Sequence, residues 1–359
     1  MKLAILGSRG IPNAYGGFEQ FAEHLSVPLA AQGLEVYVYC SDKHPYRESE
    51  YRGVHLIHCN DPEDRLGAAG QFLYDLHCIL DSRKRGFDVI LQLGYTSSSI
   101  WHRLLPRGVK LITNMDGLEW KRSKYSAPVR RFLKHAEKLA VKSSDALVAD
   151  SIAIQQYLQE KYKAHSTFIP YGAVIPDDID ESLLKGFGLE PGGYYLLIAR
   201  MQPDNHVEEA IKGVLQSGSS LPLVVVGNTG NRHGKQLTRK YNDPRIRFVG
   251  GIFDMRVLDA LRHHCKWYFH GHSAGGTNPS LLEAMAAGAP VCAHNNPFNR
   301  AVLGDDAIYF NSYGDVAEQI KATPDPERAS TMITANMQKI KTFYTWERIV
   351  EDYRNLFHS

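Results

Sequence analysis

The chain has 359 residues, 43% of them hydrophobic, with 41 basic against 39 acidic side chains and a formal charge of +2. That length and apolar content can bury a large core and favour two domains, and the near-balanced charge gives no global attraction to nucleic acid. Cys40, Cys59, Cys78, Cys265 and Cys292 are scattered without a CxxC pair, which argues against a disulfide framework or a zinc site and fits reduced thiols in a cytosolic protein.

A strand is predicted at residues 3–6, directly after Met1-Lys2, so no signal peptide is expected, and no apolar run approaches a membrane span. Next come Gly7-Ser8-Arg9-Gly10-Ile11-Pro12-Asn13-Ala14-Tyr15-Gly16-Gly17-Phe18-Glu19, a loop that opens a helix over residues 18–32. Free amides at such a helix start suit a diphosphate or an acceptor. Arg9 stands where the dinucleotide fingerprint needs its second glycine, which disfavours that reading.

Strands at residues 36–39, 54–58, 89–93, 111–113, 146–149 and 167–169 alternate with helices at 70–83, 128–142 and 152–162, the pattern of a parallel sheet covered by helices. Asn114-Met115-Asp116-Gly117-Leu118-Glu119-Trp120-Lys121-Arg122 follows one of these strands. Ligands of open parallel sheets sit beyond strand carboxyl ends, so Asp116 and Glu119 stand where chemistry is expected, although a plain acidic turn has the same composition. From there Lys121, Arg122, Lys124, Arg130, Arg131, Lys134, Lys138 and Lys142 face a single acid, Glu137, with Phe132, Leu133, Ala136, Leu139 and Ala140 between them. One helix face then packs inward, and the other is either simply solvated or drawn to an anionic leaflet at about 1 kcal/mol per basic residue.

Residues 171–193 are rich in Pro, Gly and acids and read as an interdomain linker between domains at 1–170 and 194–340. Asp178-Ile179-Asp180 spells a DxD there, but its place in a linker argues against a metal role, and no metal is expected. The strand and helix alternation restarts with strands at 194–198, 223–226, 246–249, 267–269 and 291–293 and a helix at 207–215. After the first of these strands come Arg200, a cation that suits an anionic ligand, and then Asn205 and His206. Gly227-Asn228 and Gly250-Gly251-Ile252-Phe253-Asp254 are strand-end turns where glycine lets main chain approach a ligand.

The densest signal is residues 272–291. A polar loop with Gly275, Gly276, Thr277 and Asn278 passes through Pro279 into a helix with apolar Leu281, Leu282, Ala284 and Met285, and Glu283 is its one acid. Amides at that helix start favour an anion. Residues 341–359 hold Trp346 and a helix with Ile349, Tyr353 and Phe357, which either packs on its own domain or crosses back to the first. The sixteen histidines lack zinc-ligand spacing.

GGTNPSLLEAM, YGGFE and DGLEWKR together resemble retaining glycosyltransferases of family 4, and within them a subgroup of bacterial rhamnosyltransferases, over nearly the whole chain. The resemblance implies the α/β GT-B fold, two Rossmann-like domains with parallel sheets facing across a cleft, and transfer of L-rhamnose from dTDP-L-rhamnose to a saccharide acceptor, lipid-diphosphate-linked, in bacterial surface polysaccharide synthesis. It implies that Glu283 holds the ribose, Arg200 the diphosphate, with Asn205 or His206 near the place of a second diphosphate ligand, and Gly227, Asn228, Gly251, Ile252 and Phe253 the base and ribose. Most of the family carries a second glutamate eight residues earlier, where this chain has Gly275; Gly276, Thr277 and Asn278 would then serve the sugar. Asp116 would receive the acceptor hydroxyl with Glu119 in support, and Tyr15, Gly16, Gly17, Phe18 and Glu19 would form an acceptor or phosphate loop. No cofactor beyond the nucleotide-sugar co-substrate is implied, and the place of work is the cytoplasm, peripheral to the inner membrane face. A nucleotide-sugar epimerase of the same fold and a non-catalytic sugar-nucleotide-binding protein are the alternatives.

Overall fold

The computed structural model describes every residue except Tyr15, Ser123, Thr323 and Pro324. The chain divides into two compact units, one of Met1–Lys121, Tyr125–Tyr171 and Trp346–Ser359, the other of Arg122–Lys124 and Gly172–Thr345.

The first unit contains β1 (Lys2–Leu6), α1 (Gly17–Ala31), β2 (Glu35–Ser41), β3 (Glu50–Tyr51), β4 (Val54–Cys59), α2 (Glu63–Leu66), α3 (Ala68–Ser82), β5 (Val89–Leu93), β6 (Lys110–Asn114), α4 (Ala127–Ser143), β7 (Ala146–Ala149), α5 (Ile152–Tyr162) and β8 (Thr167–Phe168). Its sheet runs β3-β4-β2-β1-β5-β6-β7-β8, parallel throughout except for the short β3–β4 pair. Every residue of β5 is buried and β1 is nearly so, the unbroken apolar run of a strand covered on both faces. Ala4, Leu6, Tyr39, Tyr74, Ile79 and Ile90 form part of the core on one side of the sheet.

The second unit contains β9 (Tyr195–Ile198), α6 (Val207–Ser217), β10 (Leu223–Val226), α7 (Arg232–Lys240), β11 (Ile246–Gly250), α8 (Met255–His263), β12 (Trp267–His270), α9 (Pro279–Ala286), β13 (Val291–His294), α10 (Pro297–Leu303), β14 (Ile308–Phe310), α11 (Tyr313–Lys321) and α12 (Pro326–Phe343). Its all-parallel sheet runs β11-β10-β9-β12-β13-β14. A core of Tyr195, Leu197, Ile211, Val214, Val225, Trp267, Phe269 and Phe310 packs beneath α6 and α11. Those two helices come close because Gly213 has no Cβ; one built there would lie 2.4 Å from the Val316 side chain.

The stretch at residues 171–193, expected as a linker, holds ordered structure of its own. Gly172 onward belongs to the second unit, Asp180 caps a 3₁₀ turn over Glu181–Phe187 by accepting the Ser182 amide proton at 2.9 Å, and Leu184 and Leu189 are buried. The polar composition concealed two leucines that anchor the segment. The final helix, α13 (Trp346–His358), is part of the first unit, where Tyr353 is fully buried, its ring centroid 5.4 Å from that of Phe21. Lys110 Nζ donates to the Leu356 carbonyl at 2.8 Å and fastens the end of α13 to β6.

Candidate functional site

In the second unit the strand order reverses at β9, which has β10 on one side and β12 on the other. The loops leaving β9 and β12 therefore diverge and leave an opening at their carboxyl ends. Arg200 is exposed in the first loop, and its carbonyl accepts the Asn205 side-chain amide at 2.7 Å. Asn205 is 4% exposed, so it shapes the loop rather than reaching out as a phosphate ligand. His206 adopts φ +46°, stacks on His294 with centroids 4.0 Å apart, and shares a hydrogen bond with Ser273 at 3.1 Å. The two loops touch at Gly271, where a Cβ would lie 2.1 Å from the Asn205 carbonyl oxygen. No side chain fits there.

Around this opening the expected residues have distinct local duties. Gly227, at φ +153°, passes so close to the Ala199 carbonyl that a Cβ would lie 2.1 Å from it. Asn228 uses its side-chain oxygen to close a turn on the Gly230 amide at 2.7 Å. Gly251 is exposed, Ile252 half-buried, and Phe253 is 85% exposed, the most solvent-accessible large apolar residue described. Gly275, at φ +131°, Gly276 and the buried Thr277 lead to Asn278, whose side chain caps α9 by accepting the Ser280 amide proton at 3.0 Å. That cap commits the Asn278 side-chain oxygen to the helix start. Glu283 accepts a hydrogen bond from the guanidinium of Arg262, which comes from α8 and is itself fully buried.

Four histidines converge here, of which the sequence singled out only His206. His270 and His272 leave the end of β12 with their rings stacked 4.5 Å apart, and His206 and His294 form the second stack. Burial lowers all three of the strand-end imidazoles, His270 well below its usual value, His272 to about 3 and His294 to about 4, and the Arg200 charge adds to the effect at His272. They are neutral near pH 7. The alternate spacing of His270 and His272 at a strand end was the available signal. Among the described residues no group of three His, Cys, Asp or Glu side chains is placed to hold a metal.

In the first unit the order reverses at β1, between β2 and β5. Gly7, at φ +95°, would place a Cβ 2.2 Å from the Leu93 carbonyl, so the β1 and β5 ends meet there. Arg9 donates its backbone amide to Glu19 at 2.6 Å and one guanidinium nitrogen to Asp61 at 3.0 Å. Glu19 is 4% exposed and braces the loop from within. Gly16 and Gly17 start α1, and the Phe18 ring lies over Gly94 at the end of β5. Tyr15 lies outside the described residues.

Asp116 follows β6 at φ +47°, a left-handed conformation that Asp tolerates better than most residues, and its amide donates to the Asn114 side chain at 2.9 Å. The Asn114 amide in turn donates to the Tyr353 hydroxyl at 3.1 Å, so α13 supports the turn. Glu119 is half-buried and accepts the Tyr125 hydroxyl at 3.4 Å. Asp75, which the sequence reading did not single out, is buried beside Ser97, whose hydroxyl donates to it at 2.5 Å; burial raises its carboxyl to about 6.

Two Rossmann-type sheets in one chain, each opened at a reversal of strand order, define the GT-B class of fold. Residues 188–337 match the family of glycosyl transferases group 1, and residues 1–174 match a domain of unknown function, DUF1972. The chain has the GT-B fold, and its residues 188–337 are similar to group 1 glycosyl transferases. It is similar to sucrose-phosphate synthase of Thermosynechococcus elongatus, at 17% identity and TM-score 0.84 over 99% of this chain and 98% of that one. Anabaena HepE, solved with UDP and glucose, matches at 17% identity and TM-score 0.75 over 100% and 99% of the two chains. Alpha-monoglucosyldiacylglycerol synthase of Streptococcus pneumoniae is 26% identical over 203 residues, 50% of this chain and 46% of that protein. The alignment thus spans about half the length of that curated relative.

Proposed function

We propose that this chain is a retaining, nucleotide-sugar-dependent glycosyltransferase that moves L-rhamnose from dTDP-L-rhamnose to a lipid-linked saccharide acceptor. The observation that carries the reading is the exposed Arg200 at the strand-order reversal of a group 1 glycosyl transferase domain, with the α9 amides following β12 at the same reversal. As the sugar–phosphate bond breaks, negative charge grows on the diphosphate, and a cation with helix-start amides stabilises that charge more than the ground state. Glu283 takes the ribose; Gly276, Thr277 and Asn278 take the sugar; and the turns at Gly227, Asn228, Gly251, Ile252 and Phe253 take the base. Retention of a β-configured donor gives a β-rhamnoside.

Asp116 receives the acceptor hydroxyl as hydrogen-bond partner or base, Glu119 supports it, and the Gly16-Gly17-Phe18 helix start borders the acceptor or its phosphate. The name of the pneumococcal relative, a glucosyl diacylglycerol synthase, supports an acceptor presented at a lipid surface. The reaction would then take place on the cytoplasmic face of a membrane. No helix of the described residues is long and apolar enough to cross a membrane, so attachment would be peripheral.

The test incubates the protein with dTDP-L-rhamnose or UDP-glucose, with and without lipid-linked saccharide acceptors. Acceptor-dependent release of nucleotide supports transfer, and the donor that turns over identifies the sugar. Sugar interconversion without acceptor would make the protein an epimerase, and tight binding without turnover a non-catalytic receptor. Asp116→Asn is expected to leave donor affinity intact while cutting turnover by about 100-fold or more, as loss of a base does. Equal losses in donor binding and turnover would remove Asp116 from the acceptor side.

A further inference from the structure

Arg262 is 1% exposed, sits on α8, and lies between two carboxylates. One guanidinium nitrogen donates to Asp259 at 3.0 Å and the other to Glu283 of α9, while Nε–H finds no acceptor among the described residues. A buried ion pair of this kind adds little stability over well-packed apolar side chains of the same volume, and an unsatisfied N–H subtracts from it. Stability alone therefore gives a poor account of an arginine here.

The surroundings of Glu283 suggest what the arginine does. Leu281, Leu282, Ala284 and Met285 on either side of it are all buried, while the Glu283 side chain is 15% exposed. Its carboxylate thus has protein on one side, where the guanidinium holds it, and solvent on another. A flexible glutamate that must meet a ligand hydroxyl gains affinity when its rotamer is fixed in advance, because ordering is then complete before binding.

We propose that Arg262 is a positioning residue for nucleotide recognition: its guanidinium grips the carboxylate of Glu283 and holds it where the ribose of a nucleoside diphosphate sugar arrives. The proposal rests on the reading of Glu283 as the ribose ligand. Lysine cannot reproduce the grip, since it is a point charge without the planar fork that spans Asp259 and Glu283.

The experiment is calorimetric titration of the full chain with UDP and with dTDP, using Glu283→Gln, Arg262→Lys and the double variant, with urea unfolding followed in parallel. Glu283→Gln and Arg262→Lys are each expected to weaken nucleotide binding by about tenfold. The double variant should bind no more weakly than Glu283→Gln alone, because an arginine acting only through Glu283 has nothing further to contribute. Under turnover Arg262→Lys should raise the donor KM and spare kcat. Wild-type binding by Arg262→Lys beside a weakened Glu283→Gln would make the arginine a counter-ion only and overturn the proposal. Losses that add in the double variant would also overturn it, since Arg262 would then act by another route. Unchanged binding by Glu283→Gln would instead remove the ribose reading beneath it. Should Arg262→Lys lose its cooperative unfolding, Asp259→Asn, which frees the guanidinium for Glu283 alone, is expected to bind nucleotide at least as well as wild type; weaker binding there counts against the proposal.

Discussion

At the scale of single residues, buried charge is what distinguishes this molecule. Glu137 is fully buried on α4, a position that costs several kcal/mol unless its oxygens are satisfied. It accepts hydrogen bonds from Trp120 Nε1 at 3.0 Å, from the hydroxyls of Tyr157 at 2.8 Å and Tyr162 at 2.6 Å, and from Lys161 at 3.2 Å. These donors join α4, α5 and the turn that carries Asp116 and Glu119. Glu137→Ala leaves two tyrosines and an indole without their acceptor and is expected to cost about 3–5 kcal/mol in urea unfolding. A loss below about 1 kcal/mol would mean that water replaces the carboxylate. The sequence presented Glu137 as a lone acid in a basic helix, and nothing in its neighbours marked it as the inward-facing member. Only the packing of α5 against α4 shows that.

At the scale of elements, α4 takes on a sharper character than its composition implied. Leu133, Ala136, Glu137 and Ala140 point inward, so the single acid is withdrawn, while Lys124, Arg131, Lys134, Lys138 and Lys142 are exposed. Lys134 also lies over the Trp120 ring at 4.1 Å, close enough for a cation–π contact. The exposed Lys and Arg side chains of α4 are thus met by no exposed acid on that helix. Binding to anionic liposomes is expected to fall steeply with rising salt, because exposed charge is screened within roughly 8 Å at physiological ionic strength. Reversing Arg130, Arg131 and Lys134 to Glu should abolish sedimentation with those liposomes and spare activity on a soluble acceptor. A wild type that ignores anionic liposomes at low salt would reduce the face to a solvated one.

At the scale of the whole molecule, the two units carry titrating groups of opposite sign. His272 and His294 titrate near 3 and 4 when folded but near 6.5 when unfolded, so the unfolded chain binds more protons as acid is added. The stability they contribute is complete above about pH 6.5 and is lost as pH falls toward their folded values; His270, lowered by burial, acts in the same direction. Between pH 7.5 and 5 a fully desolvated imidazole accounts for about 2 kcal/mol, and the half-buried His294 for less. Asp75, raised from 3.8 to about 6, works the other way: its contribution to the folded first unit is complete below about pH 3.8 and is lost as pH rises through about 6. Hydrogen exchange at pH 7.5 and pH 5 should therefore show protection falling first around β12 and β13, with β1 and β5 holding. Equal loss in both sheets would show that the strand-end histidines do not govern acid sensitivity.

The fold class, the alternation of strand and helix and the position of the two glycine-rich strand-end loops were legible in the sequence, because period and turn chemistry are local properties. Strands β1, β5, β9 and β10 fall within a residue or two of their predicted bounds, since unbroken apolar runs between turns leave few alternatives. β14, α10, α11 and α12 went unread, being short or polar and formed largely by packing and caps such as Asn296 and Ser312. In the acidic stretch at 171–193 composition reports only average polarity, and the burial of Leu184 and Leu189 was not legible in it. Position after strand ends or in a helix start, together with the family resemblance, nominated Arg200, Asp116 and Glu283. What only the tertiary structure decided is which charges face which partners: Glu19 turned to Arg9, Glu137 turned inward, Glu283 held by Arg262, and four histidines brought together from three stretches of chain. Those pairings join side chains from separate elements of the fold, and apart from the alternate spacing of His270 and His272 no local pattern reports them.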